Sequence, residues 1–275
     1  MIKRILLTND DGIDAPGLAN LAMVLGSQYE VYVVAPDRER SGVGHAFTLF
    51  MPLRCDEVPG KFPEDLVRRA WKCSGTPVDC VKMGLLQVLA QEPPDLVVSG
   101  INRGANLAID TLYSGTVSAA LEAMTMGQPA IAVSLVSHPA GSAIHDYFAG
   151  AADFILDYVR RHEAAIQAMR GHCLNINIPG LPRQELRGVR YTRLGRCRYD
   201  DRYQVHRDPN GRPYYWLEGT VADEQQAADA DLVAIREKYV SISPLMTDLT
   251  ANEVLARFQT ENPETVSELP PIQSE

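Results

Sequence analysis

The sequence predicts an α/β fold: a mainly parallel sheet with flanking helices that continues into a C-terminal β-hairpin extension. Three observations carry this expectation. From the start to about residue 136, short β-rich runs alternate with helical patterns, the rhythm of parallel strands joined by helical crossovers. The helical segments open on proline or capping signals, and an Ala-rich one closes on glycine and proline. Beyond about residue 187 the chain turns aromatic and Arg-rich around a strong turn signal.

Lys3–Thr8 reads as the first strand, and Leu18, Leu21, Ala22 and Leu25 follow helical spacing after Pro16, which suits a first helical turn. Glu30–Ala35 is the second strand. Thr76-Pro77-Val78-Asp79 has capping-box spacing and opens an apolar helix to about Leu89. Asp95–Gly100 and Pro129–Leu135 read as buried strands on either side of a helix over Thr116–Gly127. Residues 144–170 read as another helix and Leu174–Ile178 as another strand. Val189–Tyr203 and Tyr214–Leu217 are strand-like, and Asp208-Pro209-Asn210-Gly211 between them marks a hairpin turn. The expected organisation is a catalytic core over 1–186, a hairpin and oligomerisation extension with a C-terminal helix over 187–260, and a mobile acidic tail over 261–275.

With 275 residues, 45% hydrophobic and 22% charged, the chain has enough apolar side chain for one large core, which excludes global disorder. Its 26 Lys and Arg against 35 Asp and Glu give a formal charge of -9, the wrong sign for holding polymeric nucleic acid through its phosphates. The apolar start is cut short by Asn9-Asp10-Asp11, and no stretch approaches ~18 apolar residues, so neither signal peptide nor membrane span is expected. Five scattered cysteines without Cys-x-x-Cys argue against a disulfide framework or zinc knot; they read as small apolar fillers, and the expected location is cytoplasmic.

In an open parallel sheet, ligands bind where strand carboxyl ends meet the following loops. The first strand ends Thr8-Asn9-Asp10-Asp11-Gly12, two adjacent carboxylates whose repulsion a hard divalent cation would relieve. Ser41, in the loop after the second strand, and Asn102, after the strand at Asp95, can complete an all-oxygen set, which favours Mg²⁺ or Mn²⁺ over zinc. Ser114-Gly115-Thr116 precedes the Ala-rich helix, where free N–H groups and hydroxyls make a phosphate cradle. Cation and cradle together point to phosphoryl chemistry. Taken singly, each motif also reads as structure: Asp-Asp as a turn, Ser114 as a helix cap, His45 as a hydrogen-bonding loop residue rather than a general acid.

These residues resemble the SurE (stationary-phase survival protein) family of metal-dependent nucleotidases. The resemblance lies in Ile5–Gly12, Ala35–His45, Ser74–Asp79, Asp95–Asn106, Tyr113–Ala120, Asn175–Pro179 and Tyr239–Leu245. It implies a Rossmann-like core, a C-terminal β extension exchanged between subunits of a homodimer or homotetramer, and hydrolysis of nucleoside 5′- and 3′-monophosphates, with short polyphosphate a further substrate. It also implies one divalent cation on Asp10, Asp11, Ser41 and Asn102, with Asn106 and Ser114-Gly115-Thr116 on the phosphate side. Ala108, Ala123 and Lys238 depart from the family pattern, standing where glycine is common, and Asp223–Asp231 replaces a Gly-Thr-Asp pattern.

The non-enzyme alternative is a Mg²⁺-binding receiver-like signalling domain. It needs a phosphorylatable Asp after a central strand and a Lys after a later one, where this chain has Ser99-Gly100 and Ser134-Leu135.

Overall fold

A computed structural model describes residues 1–136, 147–222 and 225–261. In chain order it contains β1 (Arg4–Thr8), α1 (Pro16–Gly26), β2 (Glu30–Pro36), β3 (Cys55–Glu57), β4 (Val67–Cys73), α2 (Pro77–Met83), β5 (Leu96–Arg103), α3 (Gly115–Thr125) and β6 (Ala130–Val136). These are followed by α4 (Phe148–Arg161), α5 (Glu163–Gln167), β7 (Cys173–Pro179), β8 (Val189–Tyr191), β9 (Arg198–Arg207), β10 (Pro213–Ala222), α6 (Asp231–Arg236), β11 (Val240–Leu245) and α7 (Asn252–Glu261).

A nine-stranded sheet runs β3-β4-β2-β1-β5-β6-β7-β11-β8, and β9 and β10 form a separate antiparallel ribbon. The six strands from β4 to β7 are mutually parallel; β3 is antiparallel to β4 and β11 to β7, and β8 lies parallel to β11. Ile5 and Leu7 pack with Leu18, Leu21, Phe148 and Ile155 of α1 and α4, whereas Leu6 packs with Val81, Val117 and Ala120 of α2 and α3. Helices thus cover both faces, and β1 is apolar without a solvent-facing side, as central parallel strands are. Chain order reverses at β1: the next parallel strands, β2 and β4, build outward on one side, and β5, β6 and β7 on the other. A crevice opens at such a switch point.

Several elements differ from the sequence expectations. The edge strand β3 and its neighbour β4 were not expected; in β4, Arg68, Arg69 and Lys72 face solvent and break the apolar run. The helix expected to reach Leu89 is α-helical to Met83 and continues as a wider π-helical turn over Gly84–Val88. The helix expected over 144–170 is interrupted at His162, whose ring stacks on Tyr158 at 4.3 Å; its first residues, 144–146, lie outside the described residues. The strand-like run Val189–Tyr203 divides: β8 joins the main sheet and β9 begins at Arg198. Because β8 and β11 complete the main sheet, the core draws strands from both sides of the boundary expected at residue 186. The expected C-terminal helix is α7, and the tail beyond residue 261 lies outside the described residues.

Ala108 (φ 48°) and Lys238 (φ 65°) are the non-glycine residues with positive φ among the described residues. Both stand at positions singled out above as departures from glycine. At Lys238 the side chain is exposed, and its ion pair to Glu185 at 3.1 Å lies between two half-exposed groups. Lys238→Gly should therefore stabilise the protein by about 0.5–1 kcal/mol, relief of the left-handed backbone exceeding the extra entropy of the unfolded glycine. A urea midpoint that does not rise would contradict this account.

Candidate functional site

The loop after β1 lies in the switch-point crevice and is folded by its own asparagine. Asn9, fully buried, donates from Nδ2 to the Gly12 carbonyl at 2.9 Å and accepts from the Gly12 N–H at 3.2 Å. Gly12 adopts φ +96°, and a Cβ there would sit 3.0 Å from the Arg38 backbone. That close approach lets the loop after β2 dock: Ile13 N–H donates to Pro36 O at 2.8 Å, and Arg40 N–H to Asp10 O at 2.7 Å.

Asp10 is 4% exposed and accepts a hydrogen bond from the Thr116 hydroxyl. Burial pushes its carboxyl up to about 6; the Thr116 bond acts against that rise and the neighbouring Asp11 charge adds to it. Asp11 accepts from the Arg103 N–H at 3.1 Å. Burial raises its carboxyl as well, with Arg103 opposing and the Glu39 charge reinforcing the shift. Asp11, Glu39 and Arg103 line a cavity of ≈ 250 Å³.

Asn102 and Ser41 arrive from the two adjoining loops. Asn102 donates from Nδ2 to Gly104 O at 3.0 Å, which leaves the side-chain carbonyl as its acceptor for a cation. Ser41 is exposed and donates to Glu39 at 2.8 Å, so this acid, not singled out from the sequence, orients the hydroxyl. The donor set fits a hard cation: two carboxylates raised by burial and by neighbouring negative charge, with a hydroxyl and an amide oxygen close in the chain fold. Among the described residues, no group of three or more His, Cys, Asp or Glu could hold a metal. A site here depends on Ser and Asn to complete it.

The phosphate-side candidates divide by structural role. Ser114 caps α3, accepting from the Val117 N–H at 3.1 Å. Gly115 brings the helix start against the acid loop, since a Cβ would lie 2.8 Å from the Asp10 Cβ and 3.0 Å from Pro77. Thr116 is fully buried and its hydroxyl donates to Asp10, so its side chain holds that carboxylate. Asn106 is likewise a buried hub: Nδ2 donates to Ser134 at 2.7 Å, and its carbonyl accepts from Asn175 at 2.8 Å and Asn177 at 3.0 Å. Alternation of Asn with Ile in Asn175–Ile178 was the signal available for this network, since a fully buried strand carries amides only where they are paired.

His45 sits beside the start of α3, where the Gly44 N–H donates to Tyr113 O at 3.0 Å. Its Nε2 lies 2.8 Å from Glu122, whose other oxygen accepts from Lys82. Glu122 is buried, yet its carboxyl stays below the usual range because the His45 and Lys82 bonds outweigh burial. A carboxylate fixing one imidazole nitrogen leaves the other available for proton transfer.

Asp10 gives a test that needs no substrate. Its folded-state pKa of about 6 lies above the ordinary 3.8, so the folded protein holds the proton more tightly and this group's contribution to stability falls as pH rises from about 4 to about 6. In chelator-treated protein, Asp10→Asn should remove that decline and raise stability at pH 7.5 by up to about 3 kcal/mol, while changing little at pH 4. Denaturant titrations at both pH values read the difference; equal effects at the two would contradict the buried charge.

Comparisons with known proteins identify the family. The family model described as Survival protein SurE matches residues 5–201. A 5′-nucleotidase SurE from Synechococcus sp. (strain JA-3-3Ab) is 47% identical over 258 residues, covering 93% of this chain and 96% of the relative. One from Gloeobacter violaceus is 49% identical over 249 residues, covering 90% and 91%. The crystal structure of the SurE protein from Aquifex aeolicus superposes with TM-score 0.76 at 36% identity, covering 94% of this chain and 99% of that one. With the family model matched over residues 5–201 and relatives matched over most of its length, the chain belongs to the SurE family.

Proposed function

We propose that this protein is a nucleotidase that hydrolyses nucleoside 5′- and 3′-monophosphates to nucleoside and phosphate, with one divalent cation, Mg²⁺ or Mn²⁺, and short polyphosphate as a further substrate. The observation that carries the reading is the Asp10–Asp11 pair at the switch point beside the N-terminus of α3, with Asp10 buried and Asp11 half-buried. Relatives bearing the name 5′-nucleotidase SurE support the same activity.

A cation held by Asp10, Asp11, Ser41 and Asn102 would polarise a phosphate oxygen and acidify a water for in-line attack. Thr116 keeps one oxygen of Asp10 engaged and so fixes the other. Backbone N–H groups at the start of α3, with the Ser114 hydroxyl, orient the phosphate group, and Asn106 holds the segment that leads to them. His45, oriented by Glu122, donates a proton to the departing nucleoside oxygen as the P–O bond breaks. A cavity of ≈ 700 Å³ lined by Gly42, Tyr113, Tyr199 and Leu217 offers room for the nucleoside beside the neighbours of Ser41 and Ser114.

The ribbon of β9 and β10 leaves Tyr203, Tyr214, Tyr215, Trp216 and Leu217 exposed, which supports assembly into a dimer or tetramer through this face. Among the described residues no helix is long and apolar enough to cross a membrane. We place the protein in the cytoplasm.

Phosphate release from a nucleotide panel should vanish with EDTA and return with Mg²⁺ or Mn²⁺. Asp11→Asn should abolish it without unfolding the protein, whereas turnover that persists in that variant without metal would remove the cation from the mechanism. Ser114→Ala should lower kcat/KM about tenfold to a hundredfold through one lost donor to a charged group. Gly115→Val should do more, because its side chain would displace Asp10 itself; normal kinetics there would place the phosphate elsewhere. Light scattering at micromolar concentration should report at least a dimer, and a stable monomer would leave the exposed ribbon without this role.

A further inference from the structure

Cys55, Cys73 and Cys80, scattered in sequence, meet in the fold. Cys55 on β3 pairs directly across from Cys73 on β4, and Cys80 on α2 reaches the Cys73 sulfur. The ladder bonds on either side, Ser74 N–H to Arg54 O at 2.9 Å and Val58 N–H to Ala70 O at 2.8 Å, fix the register. They make Cys55–Cys73 a non-hydrogen-bonded pair, in which antiparallel strands come closest, with Cα atoms about 4.5 Å apart. That separation is within the range a disulfide spans. Cys55 is half-buried and reachable; Cys73 is fully buried. The Cys55 thiol is pushed up by donating to Cys73, and bonds from Cys55 and Cys80 act to lower Cys73, so the two sulfurs share a hydrogen bond across the ladder. The cluster is not one that could hold a metal.

The end of β4 carries the loop that bears Ser41. Cys73 O accepts from the Asp37 N–H at 2.8 Å, and Ser74 O from the Arg40 guanidinium at 2.6 Å. Arg40 N–H in turn holds Asp10 O, as described above. The Cys73 sulfur also accepts from the Gly75 N–H at 3.4 Å, a bond that is weakened if the sulfur is drawn toward β3.

We propose that Cys55 and Cys73 form an oxidative modification site, at which a hydroperoxide converts the pair to a reversible disulfide that displaces the Asp37–Ser41 loop and slows turnover. Cys55 gives its proton to solvent, where it neutralises the last hydroxide formed, and its sulfur attacks one peroxide oxygen; the O–O bond breaks, leaving a sulfenic acid and hydroxide. The hydroxide takes the proton from Cys73 and becomes water. The Cys73 thiolate then attacks the Cys55 sulfur, the S–S bond forms and a second hydroxide leaves. Two electrons have passed from the sulfur pair to the peroxide oxygens. The effect on turnover rests on the nucleotidase reading; the modification itself does not.

The test treats the wild-type protein and the Cys55→Ser and Cys80→Ser variants with near-stoichiometric hydrogen peroxide, counts thiols after denaturation and maps peptides. Wild type should fall from five titratable thiols to three, with Cys55 and Cys73 in one cross-linked peptide that dithiothreitol releases. Nucleotide hydrolysis should drop several-fold and recover on reduction. Cys80→Ser should behave as wild type, and Cys55→Ser should neither cross-link nor lose activity. No cross-link, or one through Cys80, would overturn the site. A cross-link with unchanged turnover, or equal inactivation of Cys55→Ser, would overturn the switch. The thiol count requires no substrate, so it still decides the modification if the protein proves inactive on nucleotides.

Discussion

Asp10 pressed against the start of α3 sets the geometry around it. A carboxylate that is 4% exposed, next to a second carboxylate, is an expensive group to bury, and the fold concentrates polar partners on it. Thr116 donates to its side chain, and the Arg40 N–H to its carbonyl. Gly115 permits the contact by having no Cβ, and Pro77 at the start of α2 closes the same space from the other side. Two helix starts and two strand ends thereby converge on one side chain. Their spacing is set by van der Waals contact, which leaves little freedom for the acid pair.

The connection between β5 and α3 must hold its shape for that contact to persist. Its inner side is fixed by the amide network in which Asn175 and Asn177 donate to Asn106. Its outer side is fixed by Asp231, fully buried, which accepts from the Ala108 N–H at 2.8 Å and the Gly195 N–H at 2.8 Å. Asp231 lies in the segment whose sequence departs from the Gly-Thr-Asp pattern, and it ties the left-handed Ala108 to the chain that leads into the ribbon. The amide pairs at Asn106 hold backbone without placing charge there.

The ribbon obeys a different constraint. Its strands pair along ten residues, yet β9 is exposed throughout, and a two-stranded ribbon is marginal in water without a surface to pack on. One anchor to the core is the Tyr199 hydroxyl, which donates to Asp110 at 2.7 Å beside the large cavity. Core and ribbon thus meet at the space adjoining the acid site.

The parallel core was legible in the sequence alone. Hydrophobic runs, the Thr76–Asp79 capping box and the Pro16 and Gly127 signals are local, and local geometry follows from them. The acid pair stood out because the loops after neighbouring strands of one sheet carry residues of compatible chemistry, although Asp-Asp alone also reads as a turn. Other roles depended on residues far apart in the chain. That the Thr116 hydroxyl lies on Asp10, and that Gly115 by having no Cβ lets the helix start approach the same acid, was visible only in the fold. Glu122 holds His45 from a separation of 77 residues, and Cys55 meets Cys73 only because two short edge strands pair in one register. Backbone propensity is encoded within a few residues, whereas the partner of a buried polar atom is chosen by which elements pack together, and only the tertiary structure decides that.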